Sequence, residues 1–304
     1  MKTTKEIREF AEKYSRLDAH IHTHLCDGAL EMTVENIAKK AEAVGLDAVI
    51  LTPHFHKQVS DETKTLYADT DETIFLSLRE EIDKYERDFG RVKFLLSTEA
   101  DIINEDGDIS LKISSVAEMA LDAVSPTLNY HPSLPYKFVG LGSGRSINEL
   151  HDSGEYAVAA ERIGGICEVL TKMYEAEIGA IEHCPYPAIL GHFFAAHSKH
   201  PDRYTWFGAR EEHLPLMKEW TRKVIDSCSR CGALIDITGV HLSHGQTTET
   251  KLLSNGFMAD FQVFVLRECR KRGVIPLYGS DAHGLSGIGG AIGYYDAIKR
   301  MVQA

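Results

Sequence analysis

An α/β fold built on a parallel sheet is what this sequence predicts. Short β-branched runs such as residues 47–52 and 233–239 alternate with longer stripes of helical period along the whole chain. No internal repeat and no linker-like break interrupts the alternation, so residues 1–304 read as one domain. Strand after strand also closes on a histidine or a carboxylate, which gives the fold a chemical direction.

Composition narrows the class. At 304 residues and 43% hydrophobic content the chain can bury a full core, and no run approaches the ~18 apolar residues of a membrane span. The N-terminus is charged and amphipathic, with Ile7, Phe10, Ala11 and Tyr14 at helical spacing. That is not a signal peptide, and a cytoplasmic protein is expected. A net charge of −12 argues against a nucleic-acid or membrane-surface binder. An acidic protein still binds anions where metal ions dominate the local field. The six cysteines are scattered; Cys228 and Cys231, the one close pair, precede a strand and lack the second pair of a structural zinc site. A reduced chain fits all six.

The elements follow in order. The first strand, 17–22, ends in His20 and His22, which share a face because strand side chains alternate. Asp27 and the turn-forming Gly28 come next. Thr33 caps a helix that runs to Val44 and stops at Gly45. Strand two, 47–52, leads into Pro53-His54-Phe55-His56, and residues 57–70 are polar and irregular. Helix two carries Ile74, Leu78, Ile82 and Tyr85 on one stripe and ends at Gly90. Strand three, 92–99, ends in Glu99, a carboxylate that is costly to bury without a partner. Asp101 and Asp106 read as solvated loop charges.

Strand four, 122–130, precedes His131 and contains Pro126, which sits badly in a central strand. Residues 131–154 are rich in Pro, Gly and Ser and read as a lid, with Arg145 placed to clamp a phosphate on closure. A long helix is predicted over 155–177, with Ile163, Ile166, Leu170 and Met173 as its stripe. Strand five, 188–192, ends in Gly191-His192. The aromatic and basic loop after it, from Phe193 through Lys199 to Arg210, is a packed cap, a substrate wall, or both. A helix bearing Leu216, Trp220 and Val224 leads to strand six, 233–239, after which His241 and His244 follow. Strand seven, 274–279, runs into Ser280-Asp281-Ala282-His283, and a last helix starts near Gly287.

Asp18-x-His20-x-His22-Thr23-x-x-Cys26-Asp27-Gly28 resembles the opening motif of the PHP (polymerase and histidinol phosphatase) family, and the later strand ends match its remaining motifs in order. The resemblance implies a distorted (β/α)7 barrel of the PHP type. It implies metal ligation by His20, His22, Asp27, His54, Glu99, His131, His192, Asp281 and His283. Imidazole and carboxylate donors suit Zn, Mn or Fe, and nine ligands imply two or three divalent ions, in the family's form a trinuclear centre. The implied activity is hydrolysis of a small phosphomonoester by a metal-activated hydroxide, with Asp281, His20 and Glu99 catalytic. Arg145, His241, His244 and Lys199 are candidates for substrate contact, and His56, His241 and His244 for proton donation. Alternatives are a histidinol-phosphate phosphatase proper, an amidohydrolase-type hydrolase on the same metals, and a non-catalytic module of the family. Pro53 stands where the family usually has an acidic residue, and His241 and His244 stand where a fixed positive charge is expected. Both departures favour a general phosphomonoesterase over histidinol phosphate.

Overall fold

The computed structural model describes residues 2–26, 28–55, 70–111, 120–129, 153–193, 209–238 and 256–290, together with residues 292, 293, 296 and 300. Helix α1 (Thr4–Lys13) opens the chain, capped by Thr3 and Glu6 in a reciprocal capping box. Strand β1 (Leu17–Ile21) is followed by α2 (Val34–Ala43), whose first turn is held by the Thr33 hydroxyl, as its sequence predicts. Then come β2 (Ala48–Leu51), β3 (His54–Phe55), α3 (Thr73–Asp88), β4 (Lys93–Leu96), β5 (Glu99–Asp101) and β6 (Ser125–Thr127). The second half holds α4 (Glu155–Arg162), α5 (Ile166–His183), β7 (Ile189–Leu190), α6 (Leu214–Cys231), β8 (Leu234–Thr238), α7 (Gly256–Arg272) and β9 (Pro276–Gly279).

Among the described residues every strand pair is parallel, as expected of strands joined by helical crossovers. The strands form three sheets in the orders β1-β2-β4, β3-β5-β6 and β7-β8-β9. Isolated parallel bridges tie the sheets to one another: Val124 to Ala188 and Thr127 to Gly191 on one side, Ile21 to Ala282 on the other.

Four local features depart from the sequence reading. Strands two and three are each interrupted, at residues 52–53 and 97–98, and resume as β3 and β5, so His54 and Glu99 start short strands rather than end long ones. Pro53 lacks the N–H that would continue the ladder, while its carbonyl accepts from Glu99 N and from the Thr98 hydroxyl. The helix predicted over 155–177 is two helices, α4 and α5, because Gly164 and Gly165 both adopt positive φ between them. Asp101 is buried rather than solvated, whereas Asp106 is exposed.

Pro126 does lie within a paired strand. Its carbonyl accepts from Gly191 N at 2.8 Å, and the N–H it lacks would have faced β7. The Ser125 hydroxyl takes over that duty, donating to Ile189 O at 2.9 Å.

Two apolar clusters pack helices against the strands, one around α2 and α3 and one around α4 to α7. A third lies on the opposite strand face. It takes Leu17 and Ala19 from β1, Ala48 and Ile50 from β2, Leu95 from β4, and Ala123. Ile189, Leu234 and Leu277 complete it from β7, β8 and β9, and Ile7 of α1 covers it. Burying Ile7 contributes about 1.5–3 kcal/mol. Stepping two residues at a time along the strands from this cluster leads to Glu99, Asp236, Gly279 and Asp281. The apolar floor therefore aims the polar groups. No described helix is long and apolar enough to cross a membrane.

Glu177 is buried within α5, beside Tyr174 and Cys228. Burial raises its carboxyl well above the ordinary range. The folded chain therefore keeps a proton that the unfolded chain releases near pH 4.3, and stability falls as pH rises from there toward the folded pKa. Glu177→Gln removes that dependence, so the variant should gain melting temperature over wild type as pH increases from 5 to 8. Parallel melting-temperature curves across that range would refute the assignment.

Candidate metal centre

The candidate site stands on the floor just described. A register irregularity between Asp18 and Ile21 shifts the alternation of β1, so that Leu17 and Ala19 join the floor while His20 and His22 reach the site. Asp18 itself is fully buried and ties β1 to the segment after β9. Its Oδ1 accepts from Ser280 N at 2.8 Å and its Oδ2 from Gly289 N at 3.0 Å. Burial pushes the Asp18 carboxyl up to about 6, against those hydrogen bonds.

The same segment delivers Asp281. Asp281 N donates to His20 O at 2.8 Å, and His22 N donates to Ala282 O at 3.0 Å. These bonds hold Asp281 at φ +53°, one of two non-glycine residues among those described with positive φ. The other is His192, at +22°. Both residues contribute to the site, where strained backbone persists because the surrounding bonds over-determine it.

Glu99 is the hub. Its Oε2 lies 3.0 Å from His20 Nε2, 3.3 Å from His54 Nδ1 and 3.4 Å from His22 Nε2. Its Oε1 lies 2.8 Å from His192 Nε2 and accepts from Asn129 Nδ2 at 2.8 Å. Asn129 donates from the same nitrogen to Asp101 Oδ1 at 2.9 Å, which accounts for the burial of Asp101. His22 Nε2 reaches Asp281 Oδ1 at 2.9 Å, and its ring stacks on His283 with centroids 3.8 Å apart.

Charge pairing orders the ionisation. Burial alone would raise Glu99, but His54, His192 and His20 hold it well below the usual carboxylate range. Asp281 is lowered in the same way, chiefly by His22 and His192 against the cost of burial. Burial disfavours a charged His20, yet Glu99 and Asp236 outweigh it and hold its pKa well above that of free imidazole. His192 goes the other way, because burial exceeds the pull of Glu99.

Among the described residues, two overlapping donor sets have ligand atoms within 4.8 Å of one another: His20, His22, Glu99 and Asp281, all buried, and His22, His54 and His283, nearer the surface. Imidazole nitrogen with carboxylate oxygen at that spacing is a donor set for borderline divalent metals, so these residues fit such an ion. Of the ligands expected from the sequence, His20, His22, His54, Glu99, His192, Asp281 and His283 come together, while Asp27 and His131 lie outside the described residues. Arg145, Lys199, His241, His244 and His56 lie outside them as well. Phe193, the first residue of the loop read as a packed cap, a substrate wall or both, is buried against Tyr174, and residues 194–208 of that loop lie outside the described residues.

Two site residues escape the sequence reading. Asn129 precedes the expected His131 and carried no metal-site signal. Asp236 did carry one, since an acidic residue in the apolar run Leu234-Ile235-Asp236-Ile237 needs a buried partner. That partner is His20, whose Nδ1 lies 2.9 Å from Asp236 Oδ2.

No protein-family model matches the sequence, and no curated protein matches it. Solved structures do match its fold. The chain superimposes on the crystal structure of histidinol phosphate phosphatase from Lactococcus lactis, complexed with zinc, L-histidinol and phosphate, with a TM-score of 0.58. That match covers 93% of each chain at 15% identity. A candidate histidinol phosphatase from Listeria monocytogenes matches with a TM-score of 0.57, covering 91% of this chain and 99% of that one at 17% identity. The fold of this chain is thus similar to that of the histidinol phosphate phosphatase structures.

Proposed function

We propose that this protein is a metal-dependent phosphoesterase that hydrolyses a small phosphomonoester. The observation that carries the reading is the buried cluster of His20, His22, Glu99 and Asp281, assembled from β1, β5 and the segment after β9. The fold similarity supports it, because the Lactococcus protein holds zinc, histidinol and phosphate on a comparable scaffold. The single domain is read as a distorted (β/α)7 barrel. The parallel bridges that join its three sheets support that reading.

His20, His22, His54, Glu99, His192, Asp281 and His283 would hold two or three divalent ions, with Asp27 and His131 completing the set. When bound, such ions supply Lewis-acid stabilisation of phosphoryl oxygens and a lowered pKa for water. The chain's own groups do the rest. Glu99, gripped by Asn129 and His192, is fixed in one orientation at the centre of the donors. Asp281, aimed by its left-handed backbone, is assigned the task of orienting the attacking water. His54 and His283, the less buried donors, are assigned to the side from which substrate enters. Arg145, Lys199, His241 and His244 are assigned to phosphate contact. Zn, Mn and Fe all suit the donors. The six free cysteines agree with a cytoplasmic location.

Histidinol phosphate itself is a second reading, favoured by the ligand of the Lactococcus structure. Pro53 weighs against it. Its carbonyl braces Thr98 and Glu99, and its ring places no charge beside His54. A general phosphomonoesterase is therefore preferred, with histidinol phosphate a minor substrate.

Elemental analysis of fully loaded protein should find two or three equivalents of Zn, Mn or Fe, and chelation should abolish hydrolysis. A single equivalent in active enzyme would contradict the multinuclear centre. A panel of histidinol phosphate, phosphotyrosine, nucleotides and sugar phosphates should show broad hydrolysis, and Asp281→Ala should lose ~10²-fold or more in kcat. A kcat/KM for histidinol phosphate far above all others would establish the second reading instead. Wild-type kcat in metal-loaded Asp281→Ala would remove Asp281 from its catalytic role.

A further inference from the structure

We infer that Asp236 is the positioning residue of this centre: it receives the Nδ1 proton of His20, so that Nε2 is the nitrogen His20 offers to a metal ion. The inference rests on the proposed metal centre and assigns a role to a residue outside the two donor sets found among the described residues. Asp236 lies in the middle of β8, and both it and His20 are fully buried. Its Oδ2 stands 2.9 Å from His20 Nδ1. The opposite ring nitrogen, Nε2, faces the donor cluster, 3.0 Å from Glu99 Oε2 and 3.9 Å from Asp281 Oδ1. To ligate a metal ion His20 must be neutral; a neutral imidazole has one N–H and one lone pair, and the hydrogen bond made by one nitrogen decides which is which. With Nδ1–H donated to Asp236, the lone pair points at the metal ligands. With the proton on Nε2, it would point away from them.

A further contact shows that the carboxyl group is built in: the same Oδ2 accepts from His192 N at 3.1 Å. The backbone carbonyl of Asp236 accepts from Phe193 N at 3.0 Å and fixes the neighbouring segment. Asp236 therefore also holds His192 in its unfavourable backbone conformation, and one side chain sets two of the candidate ligands. On its other side the carboxyl group lies over Gly279 of β9. A Cβ at residue 279 would come within 2.2 Å of Asp236 Oδ1, a separation that no real contact allows. Glycine at 279 is what leaves room for the carboxyl group. Carboxyl groups behind ligating histidines fix the tautomer and ring orientation, and removing them typically costs 10–100-fold in metal affinity.

The test uses the full-length chain stripped of metal and titrated with Zn²⁺ in competition with a chromophoric chelator. Wild type, Asp236→Ala and Asp236→Asn are compared, and the apo form of each is melted in parallel. Asp236→Ala should bind the tightest zinc roughly 10–100-fold more weakly than wild type. Asp236→Asn, whose amide oxygen can accept both N–H groups, should recover most of that loss. Long-range ¹H–¹⁵N spectra of the zinc-loaded wild type should show His20 protonated at Nδ1, a signature absent from the alanine variant. Equal zinc affinity in all three proteins, or an Nε2 proton on His20 in the loaded wild type, would overturn the inference. An alanine variant that does not fold leaves the asparagine variant and the wild-type tautomer to decide. Failure of wild type itself to bind zinc would overturn the metal reading on which the inference stands.

Discussion

Pairing of buried carboxylates with buried imidazoles is the constraint on which the rest of the structure depends. Glu99 has no solvent exposure, and an isolated carboxylate there would cost several kcal/mol or more. It is tolerated because His20, His22, His54 and His192 surround it and Asn129 donates to it. Those histidines come from β1, β3 and the ends of β1 and β7, so the ionic cluster can form only when the strands are already in register. The cluster is in this sense a reporter of the assembled fold as well as its chemical centre.

The strand face that bears the site is divided between two tasks. Its lower part is a layer of aliphatic side chains covered by Ile7, which supplies apolar burial. The part above it carries the imidazole and carboxylate groups of the candidate metal centre. Interruptions in β2/β3 and β4/β5 and the irregularity in β1 fall at the border between the two. Irregular backbone at that border re-aims side chains without disturbing the packing beneath, and the positive φ of His192 and Asp281 has the same effect at the ends of β7 and β9.

Much of this was legible in the sequence, for a physical reason. Histidine and carboxylate at the ends of apolar strands are costly to bury, so their repetition marks a shared partner, and His20, His22, His54, Glu99, His192, Asp281 and His283 all converge. The helix cap at Thr33 was equally legible, because capping is a local interaction. What escaped was set by contacts distant in sequence. Asp236 lies inside its strand, and only the fold shows that His20, 216 residues away, is its partner. Asp101 looked like a loop charge until Asn129 was brought over it. The break between α4 and α5 was masked by the apolar stripe of Ile163, Ile166, Leu170 and Met173, which continues across two glycines that need positive φ.

The proposed function requires the buried donors of β1, β5 and the segment after β9 to hold metal ions. Anomalous diffraction from crystals of the protein loaded with zinc tests it most directly. Anomalous peaks are expected within the set His20, His22, Glu99 and Asp281 and, at an adjacent position, beside His54 and His283. Well-ordered crystals in which His20 and His22 keep their direct hydrogen bonds to Glu99 and Asp281, with no anomalous density between them, would contradict it.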